Sequence, residues 1–286
     1  MRAAVVVEQV LFNFSLEENN LTVKYQTIAP PAELSDIVRF FWVLESEEPY
    51  VHRSMADGCA ELIFHYHGIF TELKADVTDI SPLSQLHGPA STFRMYETQT
   101  AFGIFGTYLY PFAIPILFAL PTPELSDAAS DLHNLLGPEG TELEEKIMLA
   151  GNNEARVSMM CTYLKQRLSN ASKQETDIRQ IIQSVLSSAG EAGIDDLAAK
   201  CFLSRRQFER KFLHYSGFSP KKYTRIIRFQ AAMDKYGEKQ ISLSQVAQEC
   251  GYYDQAHFSN DFKVFSGMTP GTYFGGKAEG VGWREA

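Results

Sequence analysis

At 286 residues, with 45% hydrophobic and 21% charged residues, the chain is long enough for two domains, each burying its own core, and its usage is that of an ordinary soluble globular protein. The formal net charge of -9 excludes a protein that binds polyanions over its whole surface. The charge is unevenly placed: residues 1–171 hold 10 Lys/Arg against 22 Asp/Glu, and residues 172–286 hold 16 against 13, which confines any nucleic-acid contact to the second part.

The four cysteines, Cys59, Cys161, Cys201 and Cys250, form no C-x-x-C pair. In a chain of this size they read as reduced, buried thiols of a cytosolic protein, not a disulfide frame or a zinc site. The N-terminal "MRAAVVVEQVLF" has its apolar run cut by Glu8, too early for a signal-peptide core. The most apolar segment, "PFAIPILFALP", carries Pro111, Pro115 and Pro121 and cannot be a spanning helix. A cytoplasmic protein without membrane contact is expected.

Up to about Leu120 the pattern predicts β structure. "NLTVKYQTI", "VRFFWVLES", "ELIFHYHG", "STFRMYET" and "AFGIFGTYLY" are short aromatic and β-branched runs, punctuated by Pro30-Pro31, Asp57-Gly58 and Gly88-Pro89. Several such strands predict a sandwich or small barrel. From Glu124 the period becomes helical, in "ELSDAASDLHNLLG" with Gly137 as its stop, then "TELEEKIMLA" and "ARVSMMCTYLKQRL". The polar stretch Ser169–Glu175 predicts a linker. Everything after it reads as helical to Tyr273, followed by a loose Gly-rich tail. The fold class expected is therefore α+β: a β-rich domain with a helical connector over 1–171, and an all-α domain over 172–286.

The all-α part contains a duplicated unit. Ala198 and Cys201 recur 49 residues later as Ala247 and Cys250. Phe208, Phe212, Gly217, Pro220 and Tyr223 recur 50 residues later as Phe258, Phe262, Gly267, Pro270 and Tyr273. Each copy reads as helix, short turn, helix. Ser242 with Gln245 forms a capping box, Gly251 supplies a left-handed C-terminal cap, and Asp254 caps the next helix. In the first copy Ser204 takes the place of Asp254, and Ser219-Pro220 opens a long connecting helix. About sixteen residues at 1.5 Å each would make that helix a rod of roughly 24 Å. With the width of the units added, it suits two helix-turn-helix units entering major grooves about 34 Å apart.

The stretches "SRRQFERKFLHYSGFSPKKYTRIIR" and "GYYDQAHFSNDFKVFSGMTPGTY" resemble the AraC family of bacterial transcription regulators, over roughly Ile178 to Tyr273. That family has a DNA-binding domain of two helix-turn-helix units joined by a helix. By the family's pattern, Arg206, Glu209 and Arg210 face bases from the first recognition helix, with Arg205 at its edge. Gln255, Ala256, Ser259 and Asn260 are the equivalents in the second. Phosphate contacts fall to Ser204, Lys211, Lys221, Lys222, Arg225 and Lys263. The resemblance implies double-stranded DNA as partner and regulation of transcription, activation included. RNA polymerase, a small-molecule effector and a second copy of the chain are the further partners it suggests, and it calls for no cofactor.

Charge supports this placement independently. Nine Lys/Arg lie between Lys200 and Arg228, with Glu209 the acidic exception, where phosphate neutralisation and base reading are needed together. The second unit, Ile241 to Gly276, sets Lys263 against Glu249, Asp254 and Asp261. Asp261 is expected to repel phosphate, and Asn260 stands where the family commonly has Arg, so the first unit is expected to dominate affinity.

In the N-terminal half, "MADGCAELIFHY" from Met55 to Tyr66 resembles the P-D-G-x-x-x-L-I-F segment of a poorly characterised N-terminal domain in a subset of the family, with Ala56 replacing the usual Pro. A β-rich sensor or dimerisation module is implied. A competing motif is His65-Tyr66-His67 followed by Glu72, which imitates the metal set of cupins. It would make the protein a metal-dependent enzyme tethered to a DNA-binding tail. The later P-x-G-x-x-H part of that pattern is missing.

Overall fold

The computed structural model describes residues 23–74, 78–171, 176–190, 198–199, 203–235 and 242–275. The N-terminal apolar run, residues 172–175 of the expected linker, Cys201 and the Gly-rich tail lie outside the described residues, and the first two residues of that linker, Ser169 and Asn170, instead end the helix Asn153–Asn170. The strands are β1 (Lys24–Ile28), β2 (Val38–Ser46), β3 (Tyr50–Ser54), β4 (Ala60–His67), β5 (Thr71–Leu73), β6 (Thr78–Ile80), β7 (Ser84–His87), β8 (Arg94–Thr98), β9 (Phe102–Leu109) and β10 (Ala129–Asp131). The helices are α1 (Ala113–Phe118), α2 (Leu132–Leu136), α3 (Pro138–Met148), α4 (Asn153–Asn170), α5 (Thr176–Ser187), α6 (Arg205–Ser216), α7 (Pro220–Met233), α8 (Leu243–Glu249), α9 (Gln255–Ser266) and α10 (Pro270–Phe274).

The strands form a six-stranded sheet in the order β1-β2-β9-β4-β7-β10 and a four-stranded sheet in the order β3-β8-β5-β6. Alternation along each strand decides which side chains go where. On one face of the larger sheet Phe41, Val43, Leu62, Phe64, Phe105 and Leu109 join the main core with the helices. The other face looks toward the smaller sheet. Register aligns Phe40, Tyr108, Glu61 and His87 in one row across β2, β9, β4 and β7. The next row is Trp42, Gly106, Ile63 and Gln85, and Leu44, Ile104 and His65 follow. The Trp42 indole lies directly over Gly106, where an added Cβ would sit 2.0 Å from Cε2, so only glycine admits it.

Two expectations are corrected. The stretch expected to be one helix from Glu124 is a 3-10 turn (Thr122–Glu124), then strand β10, then α2. Residues 129–131 pair with β7 instead of continuing a helix, a choice made by an open sheet edge and not by local periodicity. The run expected to be β up to Leu120 ends with a short helix, α1, whose Ala113, Ile114, Ile116, Leu117 and Phe118 are all buried. A helix buried on nearly every side leaves no amphipathic period to read.

The two halves do not bury separate cores. One cluster joins Phe112, Ala113 and Leu117 to Ile182 of α5, Phe208 and Phe212 of α6, and Tyr223 and Ile227 of α7. Both recognition helices also dock on the β-rich half by their C-terminal caps. Thr122 Oγ1 donates to the Tyr215 carbonyl at 3.2 Å, and Ser126 Oγ donates to that of Gly217 at 2.9 Å. In the second unit the Ala56 amide donates to the Phe265 carbonyl at 2.9 Å, and Arg53 Nη1 donates to that of Ser266 at 3.2 Å.

These contacts predict unequal costs at two glycines of positive φ. Gly251 (φ +70°) has no atom closer than 3.5 Å to an added Cβ, whereas at Gly267 (φ +76°) the Phe93 ring would lie 2.4 Å away. Gly251→Ala should therefore cost about 1–2 kcal/mol of backbone strain. Gly267→Ala should cost about 1–3 kcal/mol more, from overpacking against the β-rich half. Urea denaturation of the two variants checks this, and equal losses would show that the Phe93 contact is inconsequential.

Candidate nucleic-acid interface

The first recognition helix, α6, is built by short-range rules. Ser204 accepts a hydrogen bond from the Gln207 amide and Gln207 Oε1 accepts from that of Ser204, closing a capping box. Gly217, at φ +84°, ends the helix in the left-handed conformation. Phe208 and Phe212, four apart, are fully buried, which turns Arg206, Glu209 and Arg210 outward as one face. Ser219 caps α7 and Pro220 occupies its first turn. The second unit repeats the plan: a capping box at Ser242 and Gln245, Gly251 at φ +70°, and Asp254 accepting from the His257 amide. Ser216 and Ser266 are both buried and make matching hydrogen bonds two residues on, to Phe218 and Met268. The duplication therefore extends to the turn after each recognition helix. Ser216 and Ser266 were recoverable from the 50-residue offset, but no local rule marks them as buried.

The structure brings Arg205, Arg206, Glu209 and Arg210 together with Lys221 around one shallow groove between α6 and the start of α7. All five are exposed. Arg205 Nε pairs with Glu209 at 3.2 Å, an exposed pair four residues apart that is worth only about 0.3–0.5 kcal/mol. Ser204 is exposed, but its hydroxyl is engaged with Gln207. Lys211 is half-buried. On α9, Gln255, Ala256, Asn260 and Lys263 are exposed and Ser259 is half-buried. Gln255 Oε1 accepts from Ser244 Oγ of α8 at 2.7 Å, so its amide is held in place beside the helix start. Tyr253, next to the Asp254 cap, is 93% exposed. It is the large side chain that pattern reasoning passed over, and an aromatic just ahead of an N-cap was the available signal.

Several basic residues lie elsewhere than expected. Arg225 forks onto Asp261, its Nε at 3.1 Å and its Nη2 at 2.5 Å from the two carboxylate oxygens, instead of reaching for phosphate. Asp261 itself is buried and pairs with that guanidinium across α7 and α9. The expectation that Asp261 repels phosphate is therefore corrected: its charge faces the domain interior. Glu249 likewise pairs with Lys235 at 2.5 Å. Arg228 donates to the Gly190 carbonyl at 3.1 Å. Lys222 lies over the Phe218 ring and 3.8 Å from Asp127 of the β-rich half.

A helix-turn-helix domain model matches residues 197–275, and a model for a domain of unknown function, DUF6597, matches residues 26–131. The C-terminal domain is an AraC-type helix-turn-helix domain. The probable transcriptional regulator LumQ of Photobacterium leiognathi is 35% identical over 96 residues, covering 34% of this chain and 36% of that protein. The regulator ArgR of Pseudomonas aeruginosa is 27% identical over 136 residues, covering 48% and 39%. The chain thus spans well under half the length of these curated relatives. Among solved structures, ToxT of Vibrio cholerae aligns over 82% of this chain and 96% of its own, at 12% identity and a TM-score of 0.45.

In this AraC-type domain the Arg225–Asp261 pair should behave asymmetrically. The Asp261 side chain is 3% exposed and that of Arg225 is 38% exposed. Arg225→Ala leaves the buried carboxylate with the more distant His257 Nε2, 3.7 Å away, in place of a two-point fork, at a cost of about 3–5 kcal/mol. Asp261→Ala leaves a guanidinium that can turn to water, at a cost of about 1–3 kcal/mol. Chemical denaturation tests the order, and an Asp261→Ala loss equal to or above that of Arg225→Ala would contradict it.

Proposed function

We propose that the chain is a transcription regulator that binds double-stranded DNA through both helix-turn-helix units and responds to a small-molecule effector. The observation that supports the effector is a cavity of about 480 Å³ between the two sheets. Its wall includes Leu186 of α5 and Ile227, Gln230 and Met233 of α7, the helix that joins the units. The segment that grips the second unit, Arg53 to Asp57, lines it too. A ligand there would touch both the β-rich wall and the connecting helix, and so could favour one arrangement of the units over another. RNA polymerase and a second copy of the chain are the protein partners that this reading leaves to be engaged by other surfaces.

The rival metal-dependent enzyme draws no support from the geometry. His65 is buried against Phe70, His67 is exposed, and Glu72 is engaged by Lys74 and Arg94. Among the described residues no three His, Cys, Asp or Glu side chains converge as a metal site would need.

Readers and anchors should separate in titrations of the full chain on a selected operator and on random DNA. Arg206→Ala and Arg210→Ala should each cost roughly 1–3 kcal/mol on the operator and relax preference at particular base pairs. Lys221→Ala should weaken both DNAs alike and lower the salt slope by about 1. Equal loss on operator and random DNA for the two arginine variants would remove them from the base-reading set.

A further inference from the structure

Taking the cavity as the effector site, we propose that its ligand is a small organic cation, an amine or guanidinium compound. Its charge would sit at Glu61 and its body against the Trp42 indole. Glu61 is in the first row of the inner face, flanked across the strands by Tyr108 and His87, and lines the cavity. Among the described residues no hydrogen bond or ion pair reaches its carboxylate. Glu61 is half-buried, and a carboxyl group that faces a cavity without a partner is stabilised in its charged form by a cation placed beside it.

The arginines on the same wall are committed elsewhere. Arg39 donates to Cys59 Sγ at 3.5 Å and stacks on Tyr108. Arg53 holds the Ser266 carbonyl and the Phe93 ring, and Arg94 donates to the Asp127 carbonyl. An anionic ligand would have to displace one of these. The floor favours a cation too, because an indole face attracts positive charge and Gly106 lets the Trp42 ring lie flat in the cavity wall. Two further polar atoms of this wall, Trp42 Nε1 and His65 Nδ1, are buried without partners.

Protonation follows from the same burial. Desolvation, with Asp57 nearby, pushes the Glu61 carboxyl up to about 8, so it is largely neutral at pH 7 in the empty cavity. Desolvation holds His52 and His65 at about 4 and His87 at about 3, and all three are uncharged toward a cation. Burial raises Tyr96 of β8 and Tyr108 of β9. Tyr25 of β1, Arg39 of β2, Arg53 of β3, Asp57 and Cys59 of the loop before β4, Arg94 of β8 and Asp234 just after α7 are the other ionisable groups lining the cavity. The histidine and tyrosine changes lie away from the range around pH 8 in which Glu61 titrates in the empty cavity. A cation favours the ionised carboxylate, so binding expels the proton. Affinity should rise about tenfold per pH unit up to about pH 8 and then level.

Calorimetric titration of the full chain tests this with 2-phenylethylamine, agmatine and choline as cations, against neutral 2-phenylethanol and anionic phenylacetate. At least one cation should bind more than tenfold tighter than both controls, with affinity rising from pH 6.5 to 7.5. Glu61→Gln should weaken that cation at least tenfold and abolish the pH response, while Trp42→Leu should weaken it and keep the response. Binding by none of the cations, equal or tighter binding of either control, or an unchanged pH response in Glu61→Gln overturns the assignment. If the Gln variant does not fold, the pH slope of the unaltered chain and the comparison with the two controls decide alone. DNA affinity measured on the same protein separates the two readings. Retained DNA binding without cation binding removes the ligand class, and absent DNA binding removes the regulator.

Discussion

Gly58 and the helix above it set the geometry of the molecule. The Tyr223 ring and the Ile227 side chain of α7 press against this glycine so closely that an added Cβ would meet Ile227 Cδ1 at 2.7 Å and Tyr223 Cε2 at 3.0 Å. Around it the chain is fixed by short bonds. Asp57 exchanges backbone hydrogen bonds with Ala90 at 2.8 Å, and its carboxylate accepts from the Cys59 amide and from the Tyr108 hydroxyl. The neighbouring Ala56 amide reaches the second unit at Phe265. A single turn therefore touches the connecting helix, the second unit and the wall of the cavity.

That arrangement explains why the two units cannot be treated as beads on a rod. Each recognition helix is anchored at its C-terminal cap, one by Thr122 and Ser126 and the other by Arg53 and Ala56. The exposed N-terminal ends, with Arg206 on one helix and Gln255 on the other, lie at the opposite ends of the helices from these anchors. The Arg225–Asp261 fork then fixes α9 against α7. Positioning of this kind makes the spacing of the two helices a property of the whole molecule, as recognition of two successive major grooves would require.

The cavity belongs to the same mechanical unit. Its inner face is a regular grid set by strand register, and that grid places one unpartnered carboxylate, Glu61, three residues from Gly58. Closely packed walls transmit small displacements instead of absorbing them. A ligand that changes the charge of Glu61 would act on a strand whose first residue lies two positions beyond the helix contact.

By itself the sequence determined the elements whose cause is local. The caps at Ser204, Ser219, Ser242 and Asp254, the left-handed glycines at 217, 251 and 267, and the outward face of Arg206, Glu209 and Arg210 each depend on residues within about five positions of one another. The aromatic alternation of β2, β4 and β9 was legible for the same reason. Only the tertiary structure decided the rest, because its causes are distant in the chain. Asp261 counts as a repulsive charge until Arg225, 36 residues away, is seen to neutralise it. Residues 129–131 are helical by period until the edge of β7 recruits them. The motif around Asp57-Gly58 could be matched to a pattern, but that it supports the connecting helix depends on a contact spanning more than 160 residues. Hydrophobic periodicity records which side of an element is buried, and it carries no information about what buries it.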